Sequence, residues 1–383
     1  MNELDDLLNY GSLSREELLK LSKTAGFTQP SVVELFRWVV EFVSQIQLQS
    51  TDFILKGGTA AQLYISPEKQ RGSVDADLMF LNDETRLAEV INILKNKFSS
   101  NAPFFQFSKY TPKNPTPRLP LQTYWVNLPS VLIESCRIKL DVLLSKVDVP
   151  FHTISSAETF VGQVKNVTCL TRGALVGDKL LTLARGTIGV QQFDDYPKQI
   201  YDLEMLVFQT DCAVKELADA TRAVQALAPV EASFRSKDVT PEDALEDVKK
   251  TTTLLSNVDL ASAEETFKKA VNDFQQFYVN NSERRKLYEW SSRVLRIRFL
   301  ASLIQLHLSQ NFSLQKIERA LSLSKSLSKR FRSAKPMEMD GIKNKLLKFT
   351  ESHKTRELRG KPLDRIFWDV VTPENVEELE KIS

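Results

Sequence analysis

A chain of 383 residues with 42% hydrophobic and 26% charged residues has room for two or three globular domains, and it contains no apolar run long enough for a transmembrane helix. Three scattered cysteines, Cys136, Cys169 and Cys212, argue against a disulfide framework, and the acidic start Met1–Asp6 lacks the apolar core of a secretory signal, so a cytoplasmic protein is expected. The net charge of +2 conceals an asymmetry: residues 282–365 hold 21 Lys and Arg against 8 Asp and Glu, a local +13 that leaves −11 for the remainder and points to an anionic partner.

From the N-terminus, residues 13–47 read as two helices. Ser12 or Ser14 caps the first, and Ser14 with Glu17 has the spacing of a capping box. Pro30-Ser31 opens the second, where Leu35, Trp38, Val39 and Phe42 recur at helical spacing. Residues 1–50 are thus expected as helices packed on a core domain. Phe53-Ile54-Leu55 centres a short strand over 52–56, Gly57-Gly58 interrupts it, and 59–65 resumes as helix. Over 74–81, Val74, Ala76, Leu78 and Phe80 alternate with Asp75, Asp77 and Met79, the pattern of a strand. A helix over 84–98 follows, then strands over 104–109, 121–127 and 137–144. A proline-rich loop (Pro112, Pro115, Pro117, Pro120) precedes the middle strand. Helices over 173–185 and 197–208 complete a mixed domain over 51–210. Beyond about residue 211 strand signals and glycine nearly vanish, and helical patterns run over 241–280, 283–309, 313–332 and 338–355. The Leu-, Ser- and Lys-rich stretch 321–329 is read as an amphipathic helix in preference to a loop. The fold class expected is α+β, a mixed sheet with flanking helices, followed by an all-helical domain over 211–383 that carries the basic segment 282–365.

Chemistry concentrates in the mixed domain. Lys56-Gly57-Gly58-Thr59 ends a strand in two glycines and enters a helix. Glycine lets backbone approach a bulky anion closely, and the helix start offers free N–H groups, which suits a triphosphate. A Gly-Gly turn by itself is more often only a turn. On the next strand Asp75 and Asp77, two residues apart, put their carboxylates on one face with Val74, Ala76 and Leu78 on the other. Like charges so close repel unless a cation sits between them, and hard divalent ions take carboxylate oxygens while leaving room for phosphates. Asp141, the single acid in the apolar run Ile138–Leu144, is a candidate third carboxylate for a two-metal site, although an acid near a strand end accounts for it nearly as well. Lys179, in Gly177-Asp178-Lys179-Leu180, suits β- and γ-phosphates, and Asp202, in Tyr201-Asp202-Leu203, is an acid to orient it or to help deprotonate an acceptor. Spacing alone barely separates either from an ordinary exposed charge. His152, His307 and His353 are too dispersed for a metal cluster.

Lys56-Gly57-Gly58-Thr59-Ala60 followed by Arg71-x-Ser73-x-Asp75-x-Asp77-Leu78 resembles the signature of the AbiEii/AbiGii toxin family, nucleotidyltransferases of the polymerase-β-like superfamily. Lys179 looks like the family's third motif and Asp202 like its fourth, so the resemblance covers roughly residues 30–210. It implies a polymerase-β-like core and a toxin encoded beside an antitoxin, acting with Mg²⁺ or Mn²⁺ on an NTP. By that analogy Asp75 and Asp77 bind metal, and Asp141, from the reading of its own strand, is the candidate third metal ligand. Lys56, Gly57, Gly58, Thr59, Arg71, Ser73 and Lys179 surround the NTP phosphates, and Asp202 is catalytic or orients Lys179. One helical turn before Asp202, where relatives often carry an acid, this chain has Gln199. Several relatives modify the 3′ end of tRNA. The reading favoured here is NMP transfer to a tRNA 3′ end, with segment 282–365 contacting the RNA phosphates through the run Arg284-Arg285-Lys286 followed by Arg293, Arg296 and Arg298, and through a second cluster, Lys329, Arg330, Arg332 and Lys335. NMP transfer to a protein hydroxyl and a non-catalytic RNA- or partner-binding module are the alternatives. Trp290 and Phe299 are read as core.

Overall fold

The computed structural model describes residues 14–97, 105–111, 119–134, 136–350 and 352–382. Ser12, Phe98, Phe104, Pro112, Pro115 and Pro117 lie outside the described residues. The chain divides into two compact units. One comprises Met1–Leu175 with Val230–Lys237 and Asp273–Arg284; the other comprises Val176–Pro229, Asp238–Asn272 and Arg285–Ser383.

The first unit is built on a mixed seven-stranded sheet in the order β3-β4-β5-β2-β1-β7-β6. Its strands are β1 (Phe53–Lys56), β2 (Asp75–Phe80), β3 (Gln106–Tyr110), β4 (Leu121–Leu128), β5 (Cys136–Leu144), β6 (Phe151–Thr159) and β7 (Gly162–Leu170). The α+β class is that expected. Strand β2 is central, antiparallel to β1 and parallel to β5. Its alternation decides both faces. Ala76 and Leu78 pair with Leu140 and Val142 of β5, and all four are essentially inaccessible. Asp75 and Asp77 therefore face the other way.

Helix α1 (Arg15–Thr24) begins with the capping box read in the sequence: Ser14 Oγ accepts from the Glu17 N–H at 3.2 Å, and Glu17 Oε2 accepts from the Ser14 N–H at 2.7 Å. Helix α2 (Pro30–Gln49) packs against β1, β2, β5 and β7, burying Phe36, Trp38, Val39, Phe42 and Ile46. Helices α3 (Gly57–Gln62) and α4 (Glu84–Lys97) complete the flanks. Helix α3 starts two residues earlier than the sequence suggested and is under two turns long.

The hairpin β6–β7 has no counterpart in the sequence reading. Buried Val164 and Val167 are three apart, which breaks the period of two. Between them Asn166 has φ 55°, and the β6–β7 ladder skips a pair there, between Ile154↔Val167 and Ser156↔Lys165.

The second unit is helical. It holds α6 (Tyr196–Leu203), α8 (Pro241–Leu255), α10 (Leu287–Leu308), α11 (Leu314–Arg332), α12 (Pro336–Leu346), α13 (Ser352–Leu358), α14 (Leu363–Val370) and α15 (Val376–Glu380); the divisions between units fall inside α5 (Arg172–Thr182), α7 (Val214–Phe234) and α9 (Glu265–Tyr278). The single helix expected over 241–280 is two, α8 and α9, separated by a 3₁₀ turn at Ser256–Asp259. Likewise the pattern over 338–355 is α12 and α13. Helix α7, which contains Pro229, was not among the individual helices expected from the sequence. The biased stretch 321–329 is helical, within α11, as expected. Helix α10 is the axis of the unit, packing on α6, α8, α11 and α14 and burying Trp290, Ile297, Phe299 and Leu300. Among the described residues no helix is long and apolar enough to cross a membrane.

Candidate active site

In the first unit, strand register assembles a charged face. Asp75 lies beside Lys139 and Asp77 beside Asp141 on β5, while Lys56 at the end of β1 lies opposite Asp77. Asp75 and Asp77 are half-buried. Asp141 shares the face, and its carboxylate is closely held. Thr123 Oγ1, on neighbouring β4, donates to Oδ1 at 2.6 Å, and Lys139 Nζ donates to Oδ2 at 2.6 Å. Among the described residues no three His, Cys, Asp or Glu side chains are grouped so as to hold a metal ion. The grouping that register favours is the acid pair Asp75 and Asp77, with Asp141 drawn toward a lysine.

Lys139 was missed in the sequence, although Lys139-x-Asp141 has the same two-residue spacing as Asp75-x-Asp77. Its side chain is 36% exposed. Burial opposes its charge, yet the hydrogen bond and charge of Asp141, with Asp75 and Asp77 beyond, raise its pKa above the ordinary lysine value.

The glycine turn is shaped by its neighbours. Gly57 has φ 70°, in the left-handed region, and a Cβ there would lie 2.0 Å from Asp77 Oδ2. At Gly58 a Cβ would lie 2.6 Å from Arg71 Nη2 and 2.9 Å from Ser73 Oγ. So both glycines are needed because the Asp77 carboxylate and the Arg71 and Ser73 side chains press against the backbone. Arg71 and Ser73 are buried, as is Thr59, whose hydroxyl lies 3.0 Å from Ser73 Oγ and donates to the Asp75 carbonyl at 2.9 Å. Arg71 is further fixed by its own N–H donating to Gln62 Oε1 at 2.9 Å and by Nη1 donating to the Gly72 carbonyl at 2.8 Å. Seven positions named from sequence, Lys56, Gly57, Gly58, Thr59, Arg71, Ser73 and Asp77, thus meet around one turn.

Lys179 and Asp202 belong to the second unit, where they form an ion pair, Nζ to Oδ2 2.8 Å, with side chains 2% and 0% exposed. They are not ordinary surface charges. Burial of this degree is tolerated only with the partner in place. Lys179 Nζ also donates to Gln199 Oε1 at 3.0 Å, so the residue that departs from the family pattern touches the lysine directly.

The basic segment needs a correction. Arg293, Arg296 and Arg298 do not form a solvent face. Arg296 is 6% exposed and ion-paired with Glu204 and, at 3.2 Å, with Asp364. Arg293 is 5% exposed, with its guanidinium over the Tyr201 and Trp290 rings. Arg298 Nη2 donates to the carbonyl of Asp369 at 2.7 Å. Arg365 is wholly buried against Asp259 and Asp369. Counting charge along a segment overestimates its surface charge when arginines turn inward to meet acids from distant positions. Lys329, Arg330, Arg332 and Lys335, at the end of α11 and just beyond it, are exposed.

No curated protein is significantly similar to the chain. The family model described as nucleotidyl transferase AbiEii toxin, type IV TA system, matches residues 43–282, a span that takes in the glycine turn, the acid pair, the whole sheet and the Lys179–Asp202 pair. The chain therefore belongs to the AbiEii family of nucleotidyl transferase toxins.

Proposed function

We propose that this nucleotidyltransferase is Mg²⁺-dependent and transfers NMP from an NTP to the 3′-terminal hydroxyl of a tRNA. The acceptor oxygen attacks the α-phosphorus, the bond from that phosphorus to the bridging oxygen breaks, and pyrophosphate leaves. The observation that carries the reading is the half-buried acid pair Asp75 and Asp77 on one strand face, with Asp77 Oδ2 packed against the Gly57 backbone. Two adjacent carboxylates beside a glycine turn fit a hard divalent ion that shares its ligands with phosphates. When bound, that ion supplies Lewis-acid polarisation and neutralises developing charge.

The chain's own residues do the rest. Asp75 and Asp77 hold the ion. Arg71 and Ser73, held against the Gly58 backbone, are the cation and hydroxyl suited to phosphate oxygens. Asp202, inaccessible and bonded to Lys179, orients the lysine rather than acting as a base on bulk-exposed substrate, and the resemblance assigns Lys179 to phosphate. The exposed cluster Lys329, Arg330, Arg332 and Lys335 is the part of the basic segment suited to RNA phosphates. A cognate antitoxin is the protein partner that family membership implies.

Incubating the purified protein with each labelled NTP, with and without total tRNA, tests the reading. Label in tRNA is expected. Label only in protein transfers the proposal to a protein hydroxyl, and no label with any NTP overturns it.

A further inference from the structure

Resting on the reading above, we propose that the exposed face of β3, β4 and β5 is a platform for the unpaired 3′ end of the acceptor RNA, with Tyr110 and the Arg137 guanidinium as the surfaces on which its bases stack. Strand register carries the acid-bearing face straight onto these strands. One row runs from Asp77 through Asp141 and Thr123 to Tyr110, and the next from Asp75 through Lys139 and Trp125 to Ser108. Three interstrand steps span about 14 Å from the acid pair to β3 at the sheet edge. Helices α2 and α4 pack on the opposite face, where Val126, Ile138 and Leu140 are buried and the Phe107 ring lies against Phe42.

On the platform face Tyr110 is 41% exposed, and Ser108 and Arg137 are exposed with it. The Arg137 guanidinium lies over the Trp125 ring, 4.4 Å from its centre, and the Tyr110 ring meets Trp125 edge to face at 6.2 Å. The aromatic ring beneath holds the flat cation against the sheet. Rings and guanidinium planes stack unpaired bases, which a duplex keeps stacked on one another, and the Arg137 charge suits the phosphates between them. Position decides which substrate this face serves. Strand β2 lies between β1 and β5, and the glycine turn that takes the NTP phosphates follows β1. In an in-line displacement the attacking oxygen enters opposite the leaving pyrophosphate. The acceptor therefore approaches from the β5 side, across this face.

Fluorescence anisotropy of a labelled single-stranded oligoribonucleotide with a 3′ hydroxyl, titrated with the full chain, tests the assignment beside transfer kinetics on tRNA. The wild-type chain is expected to bind the single strand more tightly than a blunt-ended RNA duplex. Tyr110→Ala and Arg137→Glu should each weaken that binding about tenfold, the scale of losing one base-stacking partner. Both should raise KM for tRNA and leave KM for NTP as it was. Tyr110→Phe, which keeps the ring, should bind as the wild type does. Circular dichroism checks that each variant is folded. Unaltered single-strand binding in Tyr110→Ala or in Arg137→Glu, or a duplex bound as tightly as the single strand, overturns the platform and leaves nucleotidyl transfer standing. A loss in Tyr110→Phe equal to that in Tyr110→Ala also overturns it, because the hydroxyl and not the ring would then be the contact. A wild-type chain that labels protein and no RNA overturns the tRNA reading, and the platform falls with it.

Discussion

Gly57 is where backbone conformation and site geometry meet. Its φ of 70° is one that L side chains rarely adopt, and the space a Cβ would need belongs to Asp77 Oδ2, 2.0 Å away. Gly57→Ala is therefore expected to cost stability, about 1–2 kcal/mol for the left-handed conformation alone. It should lower transfer more than that loss explains, because the Asp77 carboxylate is pushed aside. Thermal denaturation and transfer rate measured together check this; wild-type transfer with lowered stability would show that Asp77 placement does not matter. Asp75→Asn and Asp77→Asn are the complementary changes. Each keeps the shape of the side chain and removes a charged oxygen, so folding should persist while transfer at saturating Mg²⁺ falls at least ~10²-fold, the typical effect of deleting one preorganised stabilising group. The sequence made these positions legible because a two-residue spacing on a strand has a single geometric meaning. The bonding of Asp141 to Thr123 was not legible, since it depends on β4 lying next to β5.

At the scale of elements, α5 and α6 meet through the Lys179–Asp202 bond. Gly177 makes close packing possible on the same helix: a Cβ there would lie 2.6 Å from the Ala220 carbonyl and 2.8 Å from Ala223 Cβ, both on α7. With Lys179 and Asp202 this deeply buried, removing one partner leaves the other charged and uncompensated. Lys179→Ala and Asp202→Ala are each expected to destabilise by about 3–5 kcal/mol, read as a lowered denaturant midpoint. Both should also depress transfer at temperatures where circular dichroism shows the variant folded. Undiminished transfer by folded Lys179→Ala would remove the lysine from the mechanism. Spacing identified the residues but not their burial, which depends on how helices pack. The same limit applies in α10, where charge alone suggested a solvent face and the fold buries Arg293 and Arg296. Reversing the charges of Arg293, Arg296 and Arg298 would break the Arg296–Glu204 and Arg296–Asp364 pairs and so report on folding rather than on RNA.

For the whole molecule, the net +13 of residues 282–365 overstates the positive surface, because several arginines neutralise acids drawn from Glu204 to Asp369. What faces outward includes the end of α11. Substituting the exposed Lys329 and Lys335 by Glu is expected to weaken tRNA binding with little change in stability. The dependence of log K on log salt should flatten by roughly 0.7–0.9 for each phosphate that is no longer neutralised. A titration of tRNA at several salt concentrations checks this, and an unaltered slope would place the RNA-binding surface elsewhere.

Local rules sufficed for much of the molecule. Capping at Ser14, the acid-bearing strand β2, the glycine turn and the family motifs were all decided by the sequence itself, because each depends on residues within a few positions of one another. Only the tertiary structure decided what non-local neighbours do: the pairing of β6 with β7, the burial of Lys179 with Asp202, the inward turn of the α10 arginines, and Lys139 bonded to Asp141 within the charged face. Periodicity specifies which way a side chain leaves its own strand or helix. It does not specify which distant charge will be waiting there, and for a charged side chain that partner determines whether it is buried or exposed.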